Sequence, residues 1–209
     1  MHDLNRALDD ISSIRRQVAQ STEFRGYGPA TLAATGALAL AAAGAQALWV
    51  PDWATHLHAG LLSKYLGVWF ATAVLSAALI AMQTLNRARR MHSGMADEMI
   101  RMAVEQFLPA AGAGALITVV LVRAAPAAIW MLPGLWQVIF SLGVFASCRF
   151  LPRAVAGVGV WYLLTGLSAL GLGDGRALSP WAMGIPFGVG QALVAAILLF
   201  SAKETGDEG

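Results

Sequence analysis

Apolar residues run through this chain in blocks of about 20, the length an α-helix needs to cross a bilayer core, and most charged residues gather in short islands between the blocks. Six blocks are legible, at residues 29–49, 61–84, 107–124, 127–147, 151–171 and 180–201. Helices are predicted for all six, because a helix satisfies its own backbone groups in lipid. Two further segments are amphipathic. Leu4, Leu8, Ile11 and Val18, with Ala7 and Ile14, make an apolar stripe at helical spacing opposite Asp3, Asp10 and Arg16. After the second block Met91, Met95, Met99 and Met102 repeat the device, and Asp97 to Arg101 and Arg101 to Glu105 are spaced for i, i+4 pairing.

The blocks echo one another. FLPAAGAG begins at Phe107 and FLPRAVAG at Phe150, while Tyr27-Gly28-Pro29 opens the first block in the same manner. Proline at a helix start costs nothing, since its missing N–H would be unpaired there and its φ suits the first turn. Pro29, Pro109 and Pro152 are therefore expected to open helices, with Gly36, Gly112 and Gly157 letting a neighbouring backbone approach. The even-numbered blocks share LGVWFA around Gly67, PGLWQV around Pro133 and PFGVGQ around Pro186. The expected fold is thus an all-α polytopic membrane bundle: six transmembrane helices in three hairpin repeats, plus two amphipathic cytoplasmic helices.

Composition supports this reading. The chain is 57% hydrophobic and 12% charged, against roughly 25% charged in soluble domains. Lys and Arg at positions 6, 15, 16, 25, 87, 89, 90, 101, 149, 153 and 203 fall on one side of the six-block drawing, and only Lys64, Arg123 and Arg176 on the other. That asymmetry puts both termini in the cytoplasm of a multi-pass protein of a bacterial-type inner membrane. Trp49, Trp53, Tyr65, Trp130 and Trp181 then fall at outer ends, where interfacial aromatics collect. The expected organisation is an amphipathic helix at 1–28, a membrane domain at 29–203 with the Met-rich segment at 86–106, and a tail at 204–209. No cleavable signal is expected, because the first 28 residues carry four arginines and no apolar core. The net charge of +2 reflects arginines at block ends rather than one basic face, so the lipid bilayer and not nucleic acid is the expected partner.

Chemical signals are sparse. Ionisable residues do not occur mid-block, which argues against a proton relay. His2, His56, His58 and His92 lie outside the blocks, so a membrane-embedded haem is not expected. His56 and His58 beside Asp52 make too small a ligand set to expect a metal site, and no other cofactor is expected. Cys148, the single cysteine, reads as a small buried hydrophobe. Serines and threonines within the blocks have no His or Lys at matching depth, so no catalytic residue is assigned and an enzyme is not expected.

The strongest constellation is Pro133, Trp136 and Gln137 with Pro186 and Gln191, each glutamine following a proline by about one turn. A proline inside a helix frees a carbonyl, and a glutamine can supply an amide to it. Together with Trp69 these residues are candidates to line a ligand cavity in the outer half of the bundle, suited to an uncharged or lipidic molecule. Two functions follow. One is a non-enzymatic sensor or accessory component whose cytoplasmic helices, through Leu4, Leu8, Ile11, Met95, Met99 and Met102, meet a protein partner or a second copy. The alternative is a small transporter or channel for a neutral or lipidic ligand.

Overall fold

The computed structural model describes residues 28–49, 59–91, 95–148 and 152–207, and among these every regular element is helical. Six α-helices follow in order: α1 (Pro29–Trp49), α2 (Ala59–Met91), α3 (Met95–Ala124), α4 (Leu132–Ser147), α5 (Val155–Gly171) and α6 (Pro180–Asp207). Two 3-10 turns, Pro126–Met131 and Gly175–Leu178, precede α4 and α6. Among the described residues, four segments are long and apolar enough to cross a membrane: Pro29–Trp49, Gly60–Asn86, Pro126–Ser147 and Pro180–Ser201. Leu108–Ala124 and Val155–Gly171 are apolar but shorter. The amphipathic stripe of Leu4, Leu8 and Ile11, and the His56, His58 and Asp52 group, lie outside the described residues, as do the side chains of Met95, Met99 and Met102.

The prolines divide between two roles. Pro29 does open α1, where the Gly28 carbonyl accepts from the amides of Thr31 and Leu32 at 3.0 and 3.3 Å. The Gly28 amide donates to Gln83 Oε1 of α2 at 3.0 Å, so α2 caps the start of α1. Pro152 lies in the turn before α5, and its carbonyl accepts from the Val155 amide at 2.9 Å. Pro109 departs from expectation, because it lies inside α3, which runs through it without interruption. Pro133 departs in the other direction. It occupies the first turn of α4, where no internal hydrogen bond is lost, so it starts that helix and does not kink it.

The closest helix pairs are α1 with α6 and α4 with α5, and glycine makes both possible. A methyl group on Gly36 would stand 3.0 Å from the Gly188 carbonyl oxygen and 3.0 Å from Gln191 Cβ. Across the other pair, a methyl on Gly134 would stand 2.7 Å from the Gly166 carbonyl oxygen, and one on Gly166 would stand 2.8 Å from that of Gly134 and 3.0 Å from Gln137 Cβ. Gly134-x-x-Gln137 and Gly188-x-x-Gln191 therefore present the same surface, a glycine carbonyl and a glutamine Cβ, to a glycine on the facing helix. By contrast Gly112 and Gly157, expected beside Gly36 to permit close approach, face open space. Sequence neighbours α1–α2, α3–α4 and α5–α6 also touch, whereas α2 and α3 barely do.

Both 3-10 turns lie at one end of the bundle, called here the turn end, and pack on each other. An apolar cluster fills the core there: Ala39 and Ala43 of α1, Tyr65 and Trp69 of α2, Ile129 and Leu132, Leu178, and Met183 of α6. A second cluster joins Val144 of α4 to Val155, Val158 and Tyr162 of α5, flanked by Phe140 and Phe187. Tyr65, expected among interfacial aromatics, is instead fully buried in the first cluster, stacked on Trp136 with ring centroids 6.5 Å apart.

The connection into α6 is built from local chemistry. α5 ends where Gly173 takes φ 71°, a conformation that favours glycine. Asp174 then caps the second 3-10 turn: its Oδ1 accepts from the Arg176 amide at 2.9 Å, and both carboxylate oxygens accept from Arg176 Nε. Arg176 holds the Asp174 carboxyl below the usual carboxylate range through these hydrogen bonds. A depressed folded value means that the cap is intact above the ordinary carboxylate pKa and is lost as pH falls through the depressed one. Acidification should therefore lower the protection of the Arg176 and Ala177 amides relative to their intrinsic exchange rates at the same pH, and Asp174→Asn should remove that pH dependence.

Candidate functional site

Pro186 lies inside α6, so the carbonyl of Ala182, four residues earlier, has no helical amide to accept from. Gln137 of α4 supplies one. Its Nε2 donates to the Ala182 oxygen at 2.8 Å and approaches Met183 Sδ at 3.8 Å. Gln137 is wholly buried, and α4 delivers it there because Gln137 shares the buried face of Gly134, Ser141 and Val144. One turn further along α6, Trp161 Nε1 of α5 donates to the Pro186 carbonyl at 3.0 Å. The stretch of α6 around Pro186 is thus clamped from two neighbouring helices.

The remaining candidates are distributed around this clamp. Trp136 points away from it, its Nε1 donating to Thr118 Oγ1 of α3 at 2.9 Å, while Thr118 donates to the Gly114 carbonyl at 2.7 Å. Trp69 is buried beside Tyr65, centroids 6.4 Å apart, so Trp69 and Trp136 flank the same tyrosine. Pro133 is buried at the start of α4. Gln191 is half-buried on α6, its Cβ against Gly36, and no hydrogen bond joins it to Gln137 among the described residues. Trp69, Trp136, Gln137 and Pro186 therefore belong to one packed region, whereas Gln191 belongs to the α1–α6 seam.

Sequence reasoning missed Gln46. It lies near the end of α1 on the face that carries Ala39 and Ala43, seven and three residues before it, and only 2% of its surface is exposed. Neither atom of its amide has a hydrogen-bond partner among the described residues. Trp69 Nε1 and Gln137 Oε1 are likewise buried and unpartnered. The available signal was the i, i+4, i+7 spacing of Ala39, Ala43 and Gln46, which places a polar residue on a small-residue stripe.

The class defined by these features is an α-helical bundle with helices fit to cross a membrane. Comparison with protein-family models, with curated proteins and with solved structures finds no match to this chain.

Proposed function

We propose that the protein is a non-enzymatic sensor or accessory component of a bacterial-type inner membrane. In this reading six spans form three hairpins, both termini are cytoplasmic, the turn end faces outward, and the amphipathic segments around Leu4, Leu8 and Ile11 and around Met95, Met99 and Met102 meet a partner protein or a second copy. The observation that carries it is the continuity of α3 from Met95 through Pro109 to Ala124. At about 1.5 Å per residue such a rod is some 45 Å long, against a hydrocarbon core of about 30 Å. Its apolar part begins only at Leu108, so the methionine-bearing turns extend the same rod beyond the apolar zone. α2, with 33 residues, is longer still, and Arg87, Arg89 and Arg90 mark its far end. A contact made on those turns would act directly on the membrane half of α3, as a sensor or accessory subunit requires.

The test is removal of residues 1–20, and separately Met95→Ser with Met99→Ser and Met102→Ser, in the detergent-solubilised full chain. Each change should reduce the assembly seen by native mass spectrometry to the single chain, while the melting temperature stays close to that of the unaltered protein. Retention of the wild-type assembly by both variants would refute the reading.

A further inference from the structure

The sequence neighbours α2 and α3 barely touch, and they do not fit the same bilayer. At ~1.5 Å per residue, the uncharged run of α2 between Lys64 and Arg87 is about 33 Å long, and that of α3 between Glu105 and Arg123 about 26 Å. A hydrocarbon core of about 30 Å lies between the two values. Thicker lipid therefore suits α2 and draws the charged ends of α3 inward, whereas thinner lipid suits α3 and leaves α2 too long. A helix too long for its bilayer relieves the mismatch by tilting.

The packing holds α3 and leaves one arm of α2 loose. Trp136 binds Thr118 of α3 at 2.9 Å, and Ile117 and Leu121 rest on the turn-end cluster. Tyr65 and Trp69 fix α2 in that same cluster, and Thr72 is buried just beyond them. From Ala73 to Asn86, by contrast, no residue of α2 is buried. Val74, Leu75, Met82 and Leu85 of that arm are exposed. Its far end is latched to α1 by the Gly28 amide, which donates to Gln83 Oε1 at 3.0 Å. A methyl group on Gly28 would overlap the Gln83 amide, so the latch needs glycine there. Only residues 92–94 separate α2 from α3, so a swing of this arm carries the methionine-bearing start of α3 with it.

We infer that the protein gauges the thickness of the hydrocarbon core: α2 pivots at Tyr65 and Trp69, and thin lipid pulls its far arm off the Gln83–Gly28 latch. Between cores of about 33 and 27 Å, an apolar run of about 33 Å goes from upright to a tilt of roughly 35° if tilting alone takes up the difference. Such a tilt breaks a single hydrogen bond at the end of the arm. The inference rests on the sensor reading above and supplies its signal. The assembly test of that reading is made in detergent, so a chain that assembles there but ignores lipid length refutes this inference alone.

The experiment places spin labels on the full chain in vesicles of dimyristoleoyl or dierucoyl phosphatidylcholine, short-chain and long-chain lipids respectively, in a Cys148→Ala background. One pair, Ala30→Cys with Leu85→Cys, reports the latch end of α2 against α1; the other, Ala30→Cys with Leu199→Cys, reports the α1–α6 seam as a control. All three labelled positions are exposed. Pulsed dipolar spectroscopy should show the first distance longer by about 5 Å or more in the short-chain lipid, with the control unchanged. Gln83→Leu should give the long distance in both lipids, again with the control unchanged, and Gly28→Ala should do the same. The inference is overturned by a first distance that ignores lipid length, by equal changes in both pairs, or by a Gln83→Leu chain that keeps the lipid dependence of the wild type. A control distance that shifts in Gln83→Leu would also overturn it, because the hydrogen bond would then hold the whole bundle and not a movable arm.

Discussion

Gln137→Leu is expected to lower the stability of the folded bundle by about 1 kcal/mol, on the scale measured for interhelical hydrogen bonds in membrane proteins, and to do so only while Pro186 is present. The cause is specific. Pro186 leaves the Ala182 carbonyl without a helical donor, and Gln137 Nε2 is the group that meets it at 2.8 Å. Pro186→Ala restores an amide at the position from which the Ala182 oxygen would ordinarily accept, and removes the ring that crowds that carbonyl. In that background a buried glutamine has less to do, and leucine at 137 should be neutral or stabilising. Reversible unfolding in mixed micelles of the wild type, both single variants and the double variant closes the cycle. A coupling energy near zero would show that the amide and the proline act independently.

The second large effect concerns glycines that look alike in sequence and differ in the fold. Gly166→Ala should destabilise by roughly 1–3 kcal/mol, the cost of forcing an extra methyl group into a packed interface, because its Cβ would stand 2.8 Å from the Gly134 carbonyl oxygen. Backbone cannot swing aside as a side-chain tip can, so α4 and α5 must separate. Gly36→Ala should follow the same course more mildly, its nearest neighbours standing at 3.0 Å. Gly112→Ala and Gly157→Ala should be neutral or stabilise by up to about 1 kcal/mol, as replacing a helical glycine in open space does. Thermal melts of the four variants give the ranking. Equal losses at all four positions would remove the distinction between the seams and the open faces.

The glycines also show where sequence reasoning stopped. Gly36, Gly112 and Gly157 each follow a proline expected to open a helix, by seven, three and five residues, and local pattern could not separate them. Only the docking of α6 against α1 makes Gly36 a contact residue. Pro133 and Pro186 present the same difficulty. Both head a Pro-to-Gln phrase, yet one opens a helix and the other lies inside one, because a 3-10 turn precedes Pro133 while α6 already has six residues before Pro186. The idea that a glutamine serves a proline-freed carbonyl was legible. Which glutamine serves which carbonyl was not, since the partner of Pro186 lies 45 residues from Ala182, on another helix.

The chain's own pattern determined the helical class, the apolar segments and the start of α1, because those follow from side-chain polarity counted along the backbone and from proline's fixed φ. Only the tertiary structure decided that α1 closes on α6, that Tyr65 is a core residue, and that Gln46 buries an amide without a hydrogen-bond partner among the described residues. The physical reason is that apolar periodicity says which residues leave water, whereas the partner each one meets depends on backbones approaching closely at a few glycines, and such contacts join positions far apart in the chain.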